Sequence, residues 1–224
     1  MHQGAETPPE QERHINPESG VTRVADIDLY LDPVCPFAWV TAIWLREAAP
    51  THTVTLRQMS LAVLNDGHDI DDGHRPMIER SRRAGRLFAA IDSHGESTFA
   101  QLYQQFGQRL HAGGNPLDHA AATALDAAGL DPALVTALDN PRHDPAVTRA
   151  HERSQSALGG RGGSPIIVID GHAFNGPVLT APPDPSTGRA LLGALLTLAN
   201  IPGFAALQRP YQGPPQHART EYEN

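Results

Sequence analysis

Apolar and polar residues alternate from Val24 to Leu31, with Ile27, Leu29 and Leu31 on one face and Asp26, Asp28 and Tyr30 on the other. A two-residue period predicts a strand with one buried face. The period then changes. Trp39, Ala42, Ile43 and Leu45 recur at helical spacing in a run over Val40 to Ala49 that Pro50 limits. Alternation returns from Thr53 to Leu61, where Val54, Leu56 and Gln58 oppose Thr55, Arg57 and Met59. Strand, helix and strand in this order predict a parallel pair joined by a right-handed crossover.

The polar stretch Asn65 to His74 holds several possible metal ligands but has neither the ligand order of a calcium loop nor zinc spacing. A solvated connection is the better reading, and no metal is expected. Helical periodicity rules from Pro76 to Leu158, with stripes at Leu87, Phe88 and Ile91 and at Phe99, Leu102, Tyr103, Phe106 and Leu110. Asn115-Pro116, Asp131-Pro132 and Asp144-Pro145 each read as a cap followed by proline, and Gly129 and Gly159 as helix ends. After Ser164-Pro165, the run Ile166 to Ile169 reads as a buried strand. Asp170-Gly171 reads as a two-residue turn into a partner strand, His172 to Asn175. A last helix is expected over Ser186 to Asn200, with Ala190, Leu191, Ala194, Leu195 and Leu198 on its buried stripe. Residues 1–23 are polar and proline-containing and are expected to be flexible. The element order is therefore β-α-β, a helical block, then β-β-α. It fits an α/β, thioredoxin-like fold with an all-helical insertion between the second and third strands. The core falls at 24–64 and 160–200, the insert at 65–159 and a C-terminal extension at 201–224. The second strand and the hairpin are expected to pair across the insert.

At 224 residues the chain can bury a substantial core. All 17 basic side chains are arginine, and the formal charge of −8 speaks against a general nucleic-acid binder. With no apolar leader and no stretch able to span a bilayer, a cytoplasmic protein without membrane association is expected.

The single cysteine stands in Asp32-Pro33-Val34-Cys35-Pro36-Phe37-Ala38-Trp39, between the first strand and the first helix. Unpaired N–H groups and the dipole at a helix start favour thiolate over thiol, and the thiolate is the nucleophile. Pro36 suits the first turn, where its missing N–H costs nothing. A buried, inert cysteine is the competing reading.

These residues resemble the thioredoxin-fold DsbA family, and within it the mycothiol-dependent nitroreductase branch, which shows a comparable Asp-Pro-x-Cys-Pro-Trp-Cys-Trp run. Met59 to Asn65, Arg109-Leu110-His111, Gly114-Asn115 and Ala173 to Leu179 are similar in the same order. The resemblance covers about Ala25 to Pro215. It implies that Cys35 is the catalytic nucleophile and that Pro36, Phe37, Ala38 and Trp39 form the active-site loop. It also implies that Pro165 is cis and faces the cysteine, with Ser164 offering its backbone to an extended thiol substrate. Asn65, Arg109, His111, Phe174 and Gly176 are the candidates for thiol and substrate binding, each with an ordinary capping, surface or core role as the alternative. One departure matters: the family's second, resolving cysteine is Ala38 here. What remains is monothiol chemistry, a single nucleophilic sulfur with an external low-molecular-weight thiol as reductant. The resemblance implies mycothiol for that thiol and a small electrophile or disulfide as the other substrate. A kappa-type glutathione transferase or isomerase and a redox-inactive binding or chaperone-like protein stay open, as does a homodimer.

Overall fold

The computed structural model describes residues 23–217, so the expected flexible tail, apart from Arg23, and the last seven residues lie outside it. Its four-stranded sheet runs in the order β2 (Thr53–Gln58), β1 (Asp26–Leu31), β3 (Ile166–Ile169) and β4 (His172–Asn175), built around β1. β2 runs parallel to β1, joined through α1 (Pro36–Ala48) as the βαβ pattern requires. β3 and β4 form the expected hairpin around Asp170-Gly171, both at positive φ. The hairpin does not meet β2, however. It pairs antiparallel with the free edge of β1, leaving β2 at the margin of the sheet.

Both faces of β1 are covered. Ile27, Leu29, Ile167 and Ile169 join Trp44 and Leu45 of α1 and Leu192 of α7 (Pro185–Ala199) in the main core. On the opposite face Tyr30, Met59 and Ile166 pack against Ala157 and Leu158 of α6 (Asp144–Leu158). Between β2 and α6 the chain forms α2 (Leu61–Leu64), α3 (Arg75–Ala90), α4 (Glu96–Gly107) and α5 (Leu117–Ala127). Phe88, Phe99, Leu102, Tyr103 and Phe106 lie in the same apolar cluster as the β1 face, so insert and sheet share one interior. No helix among the described residues is long and apolar enough to cross a membrane.

Several boundaries differ from the sequence reading, some for local and some for long-range reasons. β2 stops at Gln58 because Ser60 caps α2, its hydroxyl accepting from the Val63 N–H. Asp131 caps a 3₁₀ segment, not an α-helix. Asp144 lies inside the first turn of α6, where the Arg86 guanidinium donates to both of its oxygens at 2.6 and 2.9 Å. Asn115 turns away from α5 to donate to the Arg109 carbonyl. α7 is rotated from its expected stripe: Ala190 and Ala194 are exposed, and Gly188, Leu192 and Ala199 are buried. The cause is Trp44, whose Nε1–H donates to the Gly188 carbonyl at 2.9 Å and whose ring occupies the space a side chain there would need. In the polar loop 65–74, Asp71 pairs with His74 and Asp72 with Arg75. Among the described residues no cluster of histidine, cysteine and carboxylate side chains is arranged to hold a metal ion.

Gly107, at the end of α4, permits the closest helix contact near the cysteine loop. A Cβ there would lie 2.2 Å from Cε3 of Trp39. Gly107→Ala is expected to lower the unfolding free energy by about 1–3 kcal/mol in urea denaturation, because neither backbone nor buried indole can yield freely. Gly193→Ala in α7, facing open space, should raise it by up to about 1 kcal/mol through helix propensity. Equal effects at the two positions would show that Trp39 does not impose the glycine.

Candidate active site

β1 ends in a carboxylate with no exposed surface, Asp32. One oxygen accepts from the Val34 N–H at 2.9 Å; the other accepts from the Leu61 N–H at 2.7 Å and from the Ser81 hydroxyl. Burial raises the Asp32 pKa, and these three bonds oppose the rise. The backbone of the same residue holds two more elements. Its carbonyl accepts from the Cys35 N–H at 3.0 Å, and its N–H donates to the Ser164 hydroxyl at 2.9 Å.

Cys35 is the N-cap of α1, with extended backbone and Pro36 at the first helical position. The peptide bond between Ser164 and Pro165 is cis, and Sγ–H of Cys35 donates to the Ser164 carbonyl at 3.3 Å. The expected juxtaposition of cysteine and proline loops is therefore present. Burial works against the expected thiolate. Only 4% of Cys35 is exposed, and burial pushes its thiol pKa up to about 11. Hydrogen bonds from the Ala38 and Phe37 N–H groups and from Ser164 pull the other way, and the Asp32 charge adds to the rise. The helix terminus acts as expected, but desolvation outweighs it.

The π-helical turn after α4, Gln108–Ala112, supplies His111. Its Nε2–H donates to the Pro33 carbonyl at 3.2 Å, and its ring stacks on Trp39 with centroids 5.9 Å apart. Burial lowers its pKa to about 4, so the ring is neutral at pH 7. His111 thus ties the insert to the cysteine loop. Trp39 is buried as core, while half-buried Phe37 meets Tyr211 of the C-terminal segment edge to face at 5.2 Å. Gly176, at φ +133°, donates its N–H to the Pro165 carbonyl and precedes a second cis proline, Pro177. The Pro177 carbonyl accepts from Thr41 of α1.

Other candidates are committed to local structure. The Asn65 amide donates to the Leu61 carbonyl, closing α2. One Arg109 nitrogen donates to the backbone and side chain of Gln105. Phe174 packs edge to face on Phe204. Sequence reasoning missed Asp32 as an organiser, Ser81 as its partner, and Tyr103, whose fully buried hydroxyl has no hydrogen-bond partner among the described residues. Burial raises the Tyr103 pKa and the charges of Cys35 and Asp32 raise it further, which relates it to the site. A carboxylate ending an apolar strand was the one available signal for Asp32; Ser81, set among arginines, gave none.

With its pKa near 11, Cys35 should be alkylated by iodoacetamide at a rate still rising about tenfold per pH unit between pH 7 and 10. A plateau below pH 8.5 would show that the helix terminus prevails over burial. For His111 the folded pKa lies below the unfolded value of 6.5, so the folded state binds fewer protons between about pH 4 and 6.5. Its contribution is whole above 6.5 and lost as the pH falls towards 4, up to about 3 kcal/mol. The stability difference between the wild type and His111→Gln should shrink from pH 7 to 4.5 in urea unfolding. A constant difference would contradict this assignment.

Residues 34–209 match the Rv2466c-like family, described as mycothiol-dependent nitroreductase Rv2466c. The uncharacterized protein Rv2286c of Mycobacterium tuberculosis is 32% identical over 192 residues, 82% of this chain and 81% of that protein. The fold is similar to that of the probable DsbA oxidoreductase SCO1869 from Streptomyces coelicolor, with a TM-score of 0.52 and 17% identity, covering 83% of this chain and 94% of that one. DsbA from Chlamydia trachomatis aligns with a TM-score of 0.50 and 12% identity, over 89% and 100% of the two chains. A cysteine loop facing a cis-proline loop, on a sheet interrupted by a helical insert, accords with both likenesses. The chain belongs to the Rv2466c-like family of mycothiol-dependent nitroreductases, an oxidoreductase family, and carries the DsbA type of thioredoxin fold.

Proposed function

We propose that the protein is a monothiol oxidoreductase in which Cys35 reacts and a low-molecular-weight thiol, mycothiol, supplies the electrons. The observation that carries this reading is the hydrogen bond of Cys35 Sγ to the Ser164 carbonyl beside cis-Pro165, at the start of α1. An extended thiol substrate pairing with the Ser164 backbone takes up that carbonyl and frees the sulfur at the helix terminus. Polar groups of the thiol find donors and acceptors in Arg109, whose second terminal nitrogen has no hydrogen-bond partner among the described residues, in the Asn65 side-chain carbonyl and in Nδ1 of His111. Phe37, Phe174 and Gly176 border the second substrate.

With a nitro compound the electrons balance in two steps. Cys35–SH and one thiol RSH give the mixed disulfide Cys35–S–S–R, while R′–NO₂ becomes R′–NO and water. A second RSH attacks the mixed disulfide, restoring Cys35–SH and releasing R–S–S–R. With a disulfide substrate, Cys35 displaces one thiol and the same second step follows. Ala38 leaves no internal sulfur to replace that second thiol.

A second reading draws on the raised Cys35 pKa. A protonated Sγ–H is a donor suited to stabilising a cofactor thiolate, as in a kappa-type glutathione transferase or isomerase. The two readings part in one experiment. Incubation with oxidised mycothiol should give a covalent mycothiol adduct in the mass spectrum, absent in Cys35→Ser and removed by reduced mycothiol. Turnover without an adduct, retained in Cys35→Ser, would replace the oxidoreductase by the transferase. Neither adduct nor turnover, with ligand binding retained, would leave a redox-inactive binding protein.

A further inference from the structure

Between α1, β2 and α4 lies a cavity of about 300 Å³ that the reaction proposed for Cys35 does not use. Cys35, Ser164, Pro165 and His111 do not line it; Trp39 is the one residue of the cysteine loop that does. Its walls are apolar: Ala42 and Ile43 of α1, Val54 and Leu56 of β2, and the Trp39 and Tyr103 rings. Three alanines, Ala42, Ala49 and Ala100, leave the space open where larger side chains would close it. The pocket opens to the surface at Arg46, and an apolar pocket with a few polar groups is the usual form of a small-molecule site.

The polar groups are Arg46, His52 and Gln104. Arg46 is exposed and, like several other arginines, finds no carboxylate among the described residues. His52 accepts the Ala25 N–H at Nδ1, 3.0 Å, which in the neutral ring places its proton on Nε2 as a free donor. The charge pattern is one-sided. The chain has 25 acidic residues, and none lines this cavity.

We propose that the cavity binds a small amphipathic carboxylate, its apolar body between Trp39 and Leu56 and its head group on Arg46 and His52. At about 30 Å³ per water-sized unit, the volume admits a ligand of about ten non-hydrogen atoms. Octanoate has that size and charge and serves as the probe.

Calorimetric titration of the full chain with octanoate is expected to show one saturable site. Arg46→Gln, a change at an exposed position, should weaken it by roughly tenfold or more, and 1-octanol should bind wild type more weakly by a similar factor. In Trp44→Phe the emission of Trp39, then the only tryptophan, should change in step with saturation. Ala100→Leu, checked for folding by its melting curve, should abolish binding by filling the space. The titration, Arg46→Gln and octanol comparisons decide the matter if either packing variant fails to fold. Absence of saturable heat overturns the proposal. So does binding that survives Arg46→Gln and is matched by octanol, or binding that leaves Trp39 emission unmoved.

Discussion

A carboxylate shut away from water just after β1 holds the cysteine loop, the cis-proline loop and the insert of this protein together. Taking a carboxyl group such as that of Asp32 out of water is costly unless polar partners replace the lost water. Val34, Leu61 and Ser81 are those partners, and each belongs to a different piece of structure: the cysteine loop, α2 and α3. Ser81 in turn accepts from the Ala62 N–H, so α2 is held twice. The backbone of Asp32 brings in Cys35 and Ser164. The positions of the sulfur and the cis-proline loop are therefore by-products of satisfying one buried acid. The stabilisation is cooperative, because losing one partner leaves a buried polar atom of Asp32 unsatisfied.

The insert contributes through packing and through hydrogen bonds, among them Ser81 to Asp32 and His111 to Pro33. Phe88, Phe99, Tyr103 and Phe106 form an edge-to-face aromatic group that continues to Trp39, and Gly107 lets α4 approach that indole. His111 closes the arrangement at Pro33. The same enclosure moves two pKa values in opposite directions, the thiol up and the imidazole down, since in both cases the disfavoured form is the charged one. At neutral pH the resting pair is uncharged.

What the sequence disclosed was local. The alternation in β1, the helical period after Cys35, the Asp170-Gly171 turn and the caps at Gly129 and Gly159 depend on near neighbours, and all recur in the structure. Pro165 as a cis residue came from the family likeness, since an isolated proline says little about its isomer. What stayed hidden was set across the fold. The partner of the β3–β4 hairpin was decided by which edge of β1 remained free. The face of α7 was decided by the Trp44–Gly188 contact, which a hydrophobic stripe cannot register because glycine contributes nothing to it. Asp144 looked like a cap until Arg86, 58 residues earlier, claimed it. The same limit applied at Cys35, where a helix start is visible in sequence and a 4% exposure is not.

The solitary cysteine also bears on the potential of any disulfide the chain could form. A protein with two neighbouring cysteines has a midpoint potential of its own, because oxidation closes a bond within one molecule. Any disulfide formed by Cys35 joins two molecules, so the free thiol enters the equilibrium as a reactant. Each tenfold rise in that thiol lowers the half-oxidation potential by about 30 mV for a two-electron couple. The half-oxidation potential of any such mixed disulfide would therefore belong jointly to the chain and to the thiol concentration around it.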